Sequence, residues 1–419
     1  MRKWIICFLF VSSPVAFGVE EQTHNKLTLD QAIINVLEHS PLLRASDYEA
    51  KAAAARIRAA KLSPVFYTSI EFENFGGSGK YGGGDTLEST LSLSKVLELG
   101  DKAALRGNLA QNKALLLHNE QDAKRLDLMA ETTKRFIHVI TDQERLTIAK
   151  DSLKLAKQTL KIVERRVQAG RTPNADLRWA KVALARKQLE LEHAEHELAT
   201  TRLKLVTLWG ETQVSFSTAE ANLFGIEQAT PFEMLAQLLE RNPDLVRFAT
   251  AKRLSQARIQ LAQAKRQSDI EVRAGVRHFN VLDETALVLS LSLPLGTSSR
   301  AEPLVDEAEN LSLRDPHVYE QRRLALHATL FEVHQEIKHA VEAVTTLRKT
   351  ILPHAELAVR DYEKGYAVGR YSFLELTEAQ SALLNSRLEA VMAAANYHRY
   401  RAEIDRLTGA HIAQPTKTP

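Results

Sequence analysis

The sequence predicts a mainly α-helical chain that carries a transmembrane β-barrel portion and is laid down as two tandem helix and β-hairpin repeats. Three observations predict it. The chain matches itself: laying Gly170-Arg171 over Gly369-Arg370, a shift of 199 positions, also brings Leu177 onto Leu376, Ala180 onto Ala379 and Gly210 onto Gly409. An earlier stretch repeats at a shift of 202, with Leu37 to Pro41 over Leu239 to Pro243 and Ala55-Arg56-Ile57 over Ala257-Arg258-Ile259. Long self-similarity of this kind marks a fold assembled from equivalent units. The composition, rich in Ala, Leu, Glu, Lys and Arg with only 17 Gly and 12 Pro among 419 residues, is that of long helices. At matching places in the two copies the hydrophobic period shortens to two residues, the mark of a strand with one apolar and one polar face.

The first 18 residues predict a secretory signal peptide: basic Arg2-Lys3, an apolar run from Trp4 too short to span a bilayer as a helix, then Ala16-Phe17-Gly18. The only cysteine, Cys7, falls inside that segment, so the mature chain is expected to hold no disulfide, thiol nucleophile or cysteine-ligated metal. No later run of about 18 apolar residues occurs, so a membrane crossing would have to be a β-barrel.

The first repeat is expected over 19–210. Helix to Leu62, broken at Pro41, leads into strands at about 64–75 and 86–97, where Phe66, Thr68, Ile70 and Phe72 alternate with Tyr67, Ser69, Glu71 and Glu73. Helices follow at about 101–168 and 175–208. The first holds no proline, would run about 100 Å at 1.5 Å per residue, and carries a narrow apolar stripe (Leu105, Leu109, Leu116, Leu126, Phe136, Ile140) suited to coiled-coil packing.

An inter-repeat segment, 211–231, loses the heptad pattern. The second repeat, 232–410, is expected to carry strands at about 268–279 and 285–295 and helices at about 303–366 and 373–408, with Leu287, Leu289, Leu291 and Leu293 on one face of the last strand. Residues 411–419 read as a disordered tail. The alternating segments suit a lipid-facing barrel wall, and also a half-buried antiparallel sheet, although two isolated hairpins make poor sheets unless joined to others.

Catalytic and ligand motifs are weak. Lys and Arg total 55 against 52 Asp and Glu, a net charge of +3 that gives no large field for nucleic acid. Gly77 to Gly82 fits G-x-G-x-x-G but joins two strands, where a dinucleotide site needs a strand followed by a helix. His193 and His196, beside Glu192 and Glu195, lack a third convergent ligand. No nucleophile with an evident base is present, so neither an enzyme nor a cofactor is expected.

Together the signal peptide, the duplicated helix-hairpin-helix halves and the turn segments Gly170 to Ala180 and Gly369 to Ala379 resemble the TolC-like outer-membrane efflux factors of Gram-negative bacteria. The strand-to-helix junction Leu91 to Arg106 is similar to the branch serving heavy-metal cation exporters, departing from it at Asp101-Lys102-Ala103, where that branch usually has Gly-Lys-Arg. The resemblance implies a homotrimer with a 12-stranded barrel in outer-membrane lipid, continued through the periplasm as a helical tunnel. It also implies a periplasmic adaptor and an inner-membrane pump as partners. Four strands per chain are too few to close a barrel, and the sequence alone would also allow a dimer.

By the same resemblance the periplasmic tips lie at Gly170 and Arg171 and at Gly369, Arg370 and Tyr371, where an adaptor docks. Glu375 and Glu378, with Asp176 in the first copy, would supply an acidic ring that selects cations; the place of Glu378 is taken there by Trp179. Tyr371 stands where the best-known members hold a gate-locking arginine, with Arg171 and Arg370 one position earlier. Whether cargo is a metal cation or an organic compound is left open, as is a competing use of such helices in a periplasmic adaptor or coiled-coil scaffold.

Overall fold

The structure, a computed structural model, describes residues 26–409. The expected signal peptide and tail lie outside the described residues. The chain opens with β1 (Lys26–Leu27), α1 (Leu29–His39) and α2 (Pro41–Ala60), and then makes the hairpin β2 (Phe66–Glu73) and β3 (Glu88–Leu97). Two long helices follow, α3 (Lys102–Gln168) and α4 (Asn174–Val206), and then a short strand, β4 (Thr218–Ala219). The second passage repeats the order: α5 (Phe232–Leu238), α6 (Pro243–Ala264), β5 (Ile270–Phe279), β6 (Glu284–Ser292), α7 (Thr297–Thr346), α8 (Leu352–Val368) and α9 (Phe373–Thr408).

The helix expected from 303 starts at Thr297 and runs on to Val368, with Pro303 and Pro316 inside it. Each proline forfeits one backbone hydrogen bond, which a helix of 50 residues packed along α6 and α9 tolerates. A π-turn, Leu347–Ile351, precedes Pro353. The wider turn relieves the clash that the proline ring would make four residues back. After Val206 the α4 helix tightens into a 3-10 turn, Thr207–Trp209, and stops at Gly210 with φ +86°.

The four long strands form one antiparallel sheet in the order β2-β3-β5-β6. Its register stacks Ile70, Leu91, Val276 and Leu287 in one row, and Thr68, Leu93, Ala274 and Leu289 in the next, on the same face. At Gly275 a side chain would meet the Leu91 carbonyl oxygen at 2.6 Å, so β3 and β5 approach this closely only because that residue is glycine.

The sheet meets the helices through a polar knot. Lys102, almost buried, donates to the Gln267 carbonyl at 2.7 Å and to Asp269 at 2.6 Å. Below it, α3 packs against α2 and α6 and lower down against α4 and α9, while α7 packs along α6 and then α9.

The main core sits at mid-height. Phe136, Val139 and Ile140 of α3 meet Leu205 and Val206 of α4, Val36 of α1, and Val391 and Ala394 of α9, and each fully buried apolar side chain there contributes about 1.5–3 kcal/mol. The inter-repeat segment joins this layer. Its β4 pairs in parallel with β1, and Gln143 of α3 clamps Ala219 through both amide groups, at 2.9 and 2.8 Å.

Candidate functional site

Two surfaces at opposite ends of the molecule carry the distinctive chemistry: the tips where α3 turns into α4 and α8 into α9, and the two faces of the sheet.

Both tips are helix C-terminal turns of one design. Gly170 and Gly369 take φ of +67° and +87°, where a Cβ is disfavoured. The Arg171 N–H donates to the Arg166 carbonyl at 2.9 Å, and the Arg370 N–H to the Gly365 carbonyl at 2.8 Å. These bonds satisfy carbonyls that a helix end leaves open. The side chains of Arg171 and Arg370 are exposed and make no hydrogen bond or ion pair among the described residues.

The residue that ties the tips together is Arg166. Its Nη1 donates to the carbonyls of Tyr366 and, at 3.2 Å, Ala367, while Nε donates to the Thr172 hydroxyl at 3.0 Å. Its guanidinium also lies over the Tyr366 ring, 4.8 Å from the centroid. One cation on α3 therefore occupies the negative C-terminal end of α8. At the shift of 199, Arg166 falls on Gly365 and Thr172 on Tyr371. There the sizes are exchanged: a Cβ on Gly365 would sit 2.2 Å from the Tyr371 ring, which stacks 4.6 Å from the Tyr362 ring. The swap was written in the aligned copies, and sequence reasoning centred on the turn glycines missed it.

Helix α9 begins with a capping box. The Glu375 carboxylate accepts from the Ser372 N–H at 2.7 Å, and the Ser372 hydroxyl accepts from the Glu375 N–H at 3.2 Å. The backbone and hydroxyl of Ser372 hold the Glu375 carboxyl below its ordinary range, so it stays charged at any pH near neutral. In the first copy Pro173 stands in place of the serine and has no N–H to offer. Asp176 is thus free of a cap and lines a groove with Arg166, Thr172, Trp179, Tyr366 and Tyr371. Glu378 is exposed. Glu375 and Glu378 do not line that groove, whereas Asp176 does. A small core of Val163, Ala180, Tyr366 and Leu376 holds the paired hairpins beneath them.

At the other end, one face of the sheet is mainly apolar and exposed, with Lys95 laid over the Phe66 ring at its margin. Leu287, Leu289 and Leu291 are 88%, 80% and 70% exposed, beside exposed Phe66, Ile70, Phe72, Leu91 and Leu93. A contiguous apolar face of this kind on a soluble surface marks a partner or a membrane. The opposite face is charged. Arg273 of β5 reaches Glu71 of β2 at 2.7 Å, and Arg277 reaches Glu73 at 2.7 Å, Glu88 at 2.9 Å and the Thr90 hydroxyl at 2.9 Å. The pairs to Glu71 and Glu73 cross over β3, whose residues Thr90, Ser92 and Ser94 on this face are small and buried beneath them.

Elsewhere, His193 and His196 are exposed on α4. Among the described residues no group of three His, Cys, Asp or Glu is arranged to hold a metal, and no helix is long and apolar enough to cross a membrane. Gly79–Tyr81 forms a single 3-10 turn within the loop joining β2 to β3.

Known proteins share this architecture. The OprN outer-membrane channel superposes with a TM-score of 0.75 at 18% identity, covering 91% of this chain and 89% of its own. The CusC channel gives 0.71 at 18% identity over 91% of each chain. In sequence, the cobalt-zinc-cadmium resistance protein CzcC of Cupriavidus metallidurans is 26% identical over 324 residues, 77% of this chain and 78% of the relative. The profile of outer membrane efflux proteins matches residues 32–211 and again 234–410. With that match over most of its length, and with a fold shared with outer-membrane channels, the chain belongs to the outer membrane efflux protein family, whose members are passive channels and not enzymes.

Proposed function

We propose that this chain is the exit duct of a tripartite efflux system for heavy-metal cations, working as a homotrimer in the outer membrane of a Gram-negative bacterium. The observation that carries it is the sheet. Its strands of up to 10 residues rise about 33 Å, enough for a tilted membrane strand. One face is apolar and exposed, the other is laced with ion pairs, and β2 and β6 stand at its two edges. Edge strands demand partners. Pairing β6 of one copy with β2 of the next closes twelve strands from three chains, the apolar face toward lipid and the charged face toward water.

The helices then continue the barrel as a tunnel, and the tips become its periplasmic end, where an adaptor coupled to an inner-membrane pump would dock around Gly170, Arg171, Gly369, Arg370 and Tyr371. Threefold symmetry turns Glu375, Glu378 and Asp176 into rings of carboxylates, and rings of one sign select by charge. The Arg166 contact replaces an arginine latch at the position of Tyr371 and holds the two hairpins of one chain closed against each other. Assignment of metal cations as cargo rests on the likeness to CzcC.

Glu378→Gln tests the ring without disturbing the capping box that Glu375 serves. In planar bilayers the variant is expected to lose cation preference while keeping its conductance. Unchanged selectivity rejects the ring. Cargo is tested by co-expressing the chain with its own pump and adaptor in a metal-sensitive host: tolerance to zinc, cobalt or cadmium should rise, and no gain rejects the metal reading.

A further inference from the structure

At mid-height the wall runs α4, α3, α9, α7, each packed on the next. A cleft of about 710 Å3 touches all four helices: Thr201 and Lys204 from α4, Lys134 and His138 from α3, Arg399 from α9 and Val333 from α7. The other side of the α3 and α9 seam is covered by α1, where Leu29, Asp30 and Ile33 face Met129, Thr133 and Ala402. The hollow is shared by four successive helices and lies on the side away from the added layer. On the duct reading, on which this placement rests, the cleft opens into the tunnel.

Its charge is unbalanced. Lys134, Arg135, Lys204 and Arg399 line it against Glu131 and Glu403. Glu403 is engaged by Lys134, and Glu131 by Arg135 at 2.7 Å. That leaves Lys204 and Arg399, neither of which meets a carboxylate among the described residues. Arg399 rests on neutral partners, the Asn396 side-chain oxygen at 2.6 Å and His138 Nε2 at 3.5 Å. Partial burial and then the Arg399 charge push His138 below its ordinary value, which keeps the ring uncharged beside the guanidinium at neutral pH. Arg399 on its neutral partners and the exposed Lys204 beside it, in a cleft of ligand size, make a site for an anion.

We propose that this cleft binds a small solute bearing two or more carboxylate or phosphate groups, with Arg399 and Lys204 as its principal contacts. The tunnel then carries acidic rings at its periplasmic end and a basic station at its waist. A solute there would be held by three equivalent clefts around the wall, so that polyanions, including carboxylate-chelated cations, pause in the lumen while bare cations pass.

Calorimetry on the purified, detergent-solubilised channel at low ionic strength tests this, with citrate and pyrophosphate as probes. Saturable binding that weakens as salt is added is expected, because exposed charges are screened. Arg399→Gln with Lys204→Gln should weaken it by at least about tenfold, the loss of a charge-assisted contact. Arg399→Lys should recover part of it, and His193→Gln, exposed on α4 and not among the cleft's lining residues, should leave it unchanged. Binding of both probes that is absent, or equal in the double variant, overturns the proposal; each single variant is scored too, so a misfolded double variant does not stand in for a result. In bilayers, citrate should reduce the current through the parent channel and not through the double variant. Binding without block overturns the lumen-facing placement, whereas protein that forms no channels at all overturns the duct reading and leaves the calorimetric result to decide the anion site.

Discussion

Arg166 and Gly365 hold the same position in the two copies, and the difference between them shapes the tips. A guanidinium at 166 reaches across to the free carbonyls of α8, and the missing side chain at 365 makes room for Tyr371 to fold back onto its own hairpin. Neither arginine next to the turn glycines does this, because at the position after the glycine it is the backbone N–H that is committed and the side chain projects into solvent. Replacing Arg166 by Ala removes hydrogen bonds from a charged donor, each worth about 1.5–3 kcal/mol when well formed and less here because the group is half-exposed. Arg166→Ala is expected to raise hydrogen exchange at 362–372 and the open probability in bilayers without lowering the thermal stability of the protein as a whole. Unchanged exchange there would remove Arg166 from the latch. The acids divide similarly: Glu375 serves its own helix, while Asp176, deprived of a capping partner by Pro173, faces the groove.

Among the elements, the hairpins were the easiest to read and the hardest to place. Alternation from Ile270 to Arg277 and from Leu287 to Leu293 announces strands with one apolar face, and the structure has β5 at Ile270–Phe279 and β6 at Glu284–Ser292. Which hairpin edges meet is not a local property. The β3 to β5 pairing joins residues about 180 positions apart, set by Gly275 and by arginines long enough to cross β3. Leu289→Arg puts a charge on the exposed apolar face, at a cost of about 2–4 kcal/mol near a bilayer midplane. Ser292→Arg, on the polar face and directly opposite Glu271, should be tolerated. Yield of folded protein in the membrane fraction is the measure, and equal yields would mean that the apolar face does not meet lipid. In the helices, the start expected near 303 lies at Thr297, and Pro303 sits inside the helix, since a proline early in a long packed helix costs one hydrogen bond and not the element.

For the whole molecule, the main core, the paired tips and the sheet are joined by helices that span almost the full length, α3 alone about 100 Å. An edge-bearing sheet with an exposed apolar face is not a stable end state for a single chain in water. Expressed from its full sequence, the protein is therefore expected in the outer-membrane band of a sucrose gradient, and in mild detergent at the mass of three chains. Recovery wholly in the soluble periplasm, or as a monomer in detergent, would defeat the trimeric barrel and favour a helical scaffold.

Periodicity and composition act over neighbouring residues, so the sequence by itself determined the long helices, the two hairpins, the glycine turns and the absence of catalytic motifs. The decisions that required the fold are those between residues far apart in the chain. The joining of two hairpins into one sheet, the pairing of β1 with β4 at the waist, the reach of Arg166 to the opposite tip and the cations left unpaired at Lys204 and Arg399 are of this kind. They depend on distances across the molecule that no local pattern encodes. Duplication dictated two similar runs of helix, hairpin and helix, and only packing them together showed where the copies had to differ.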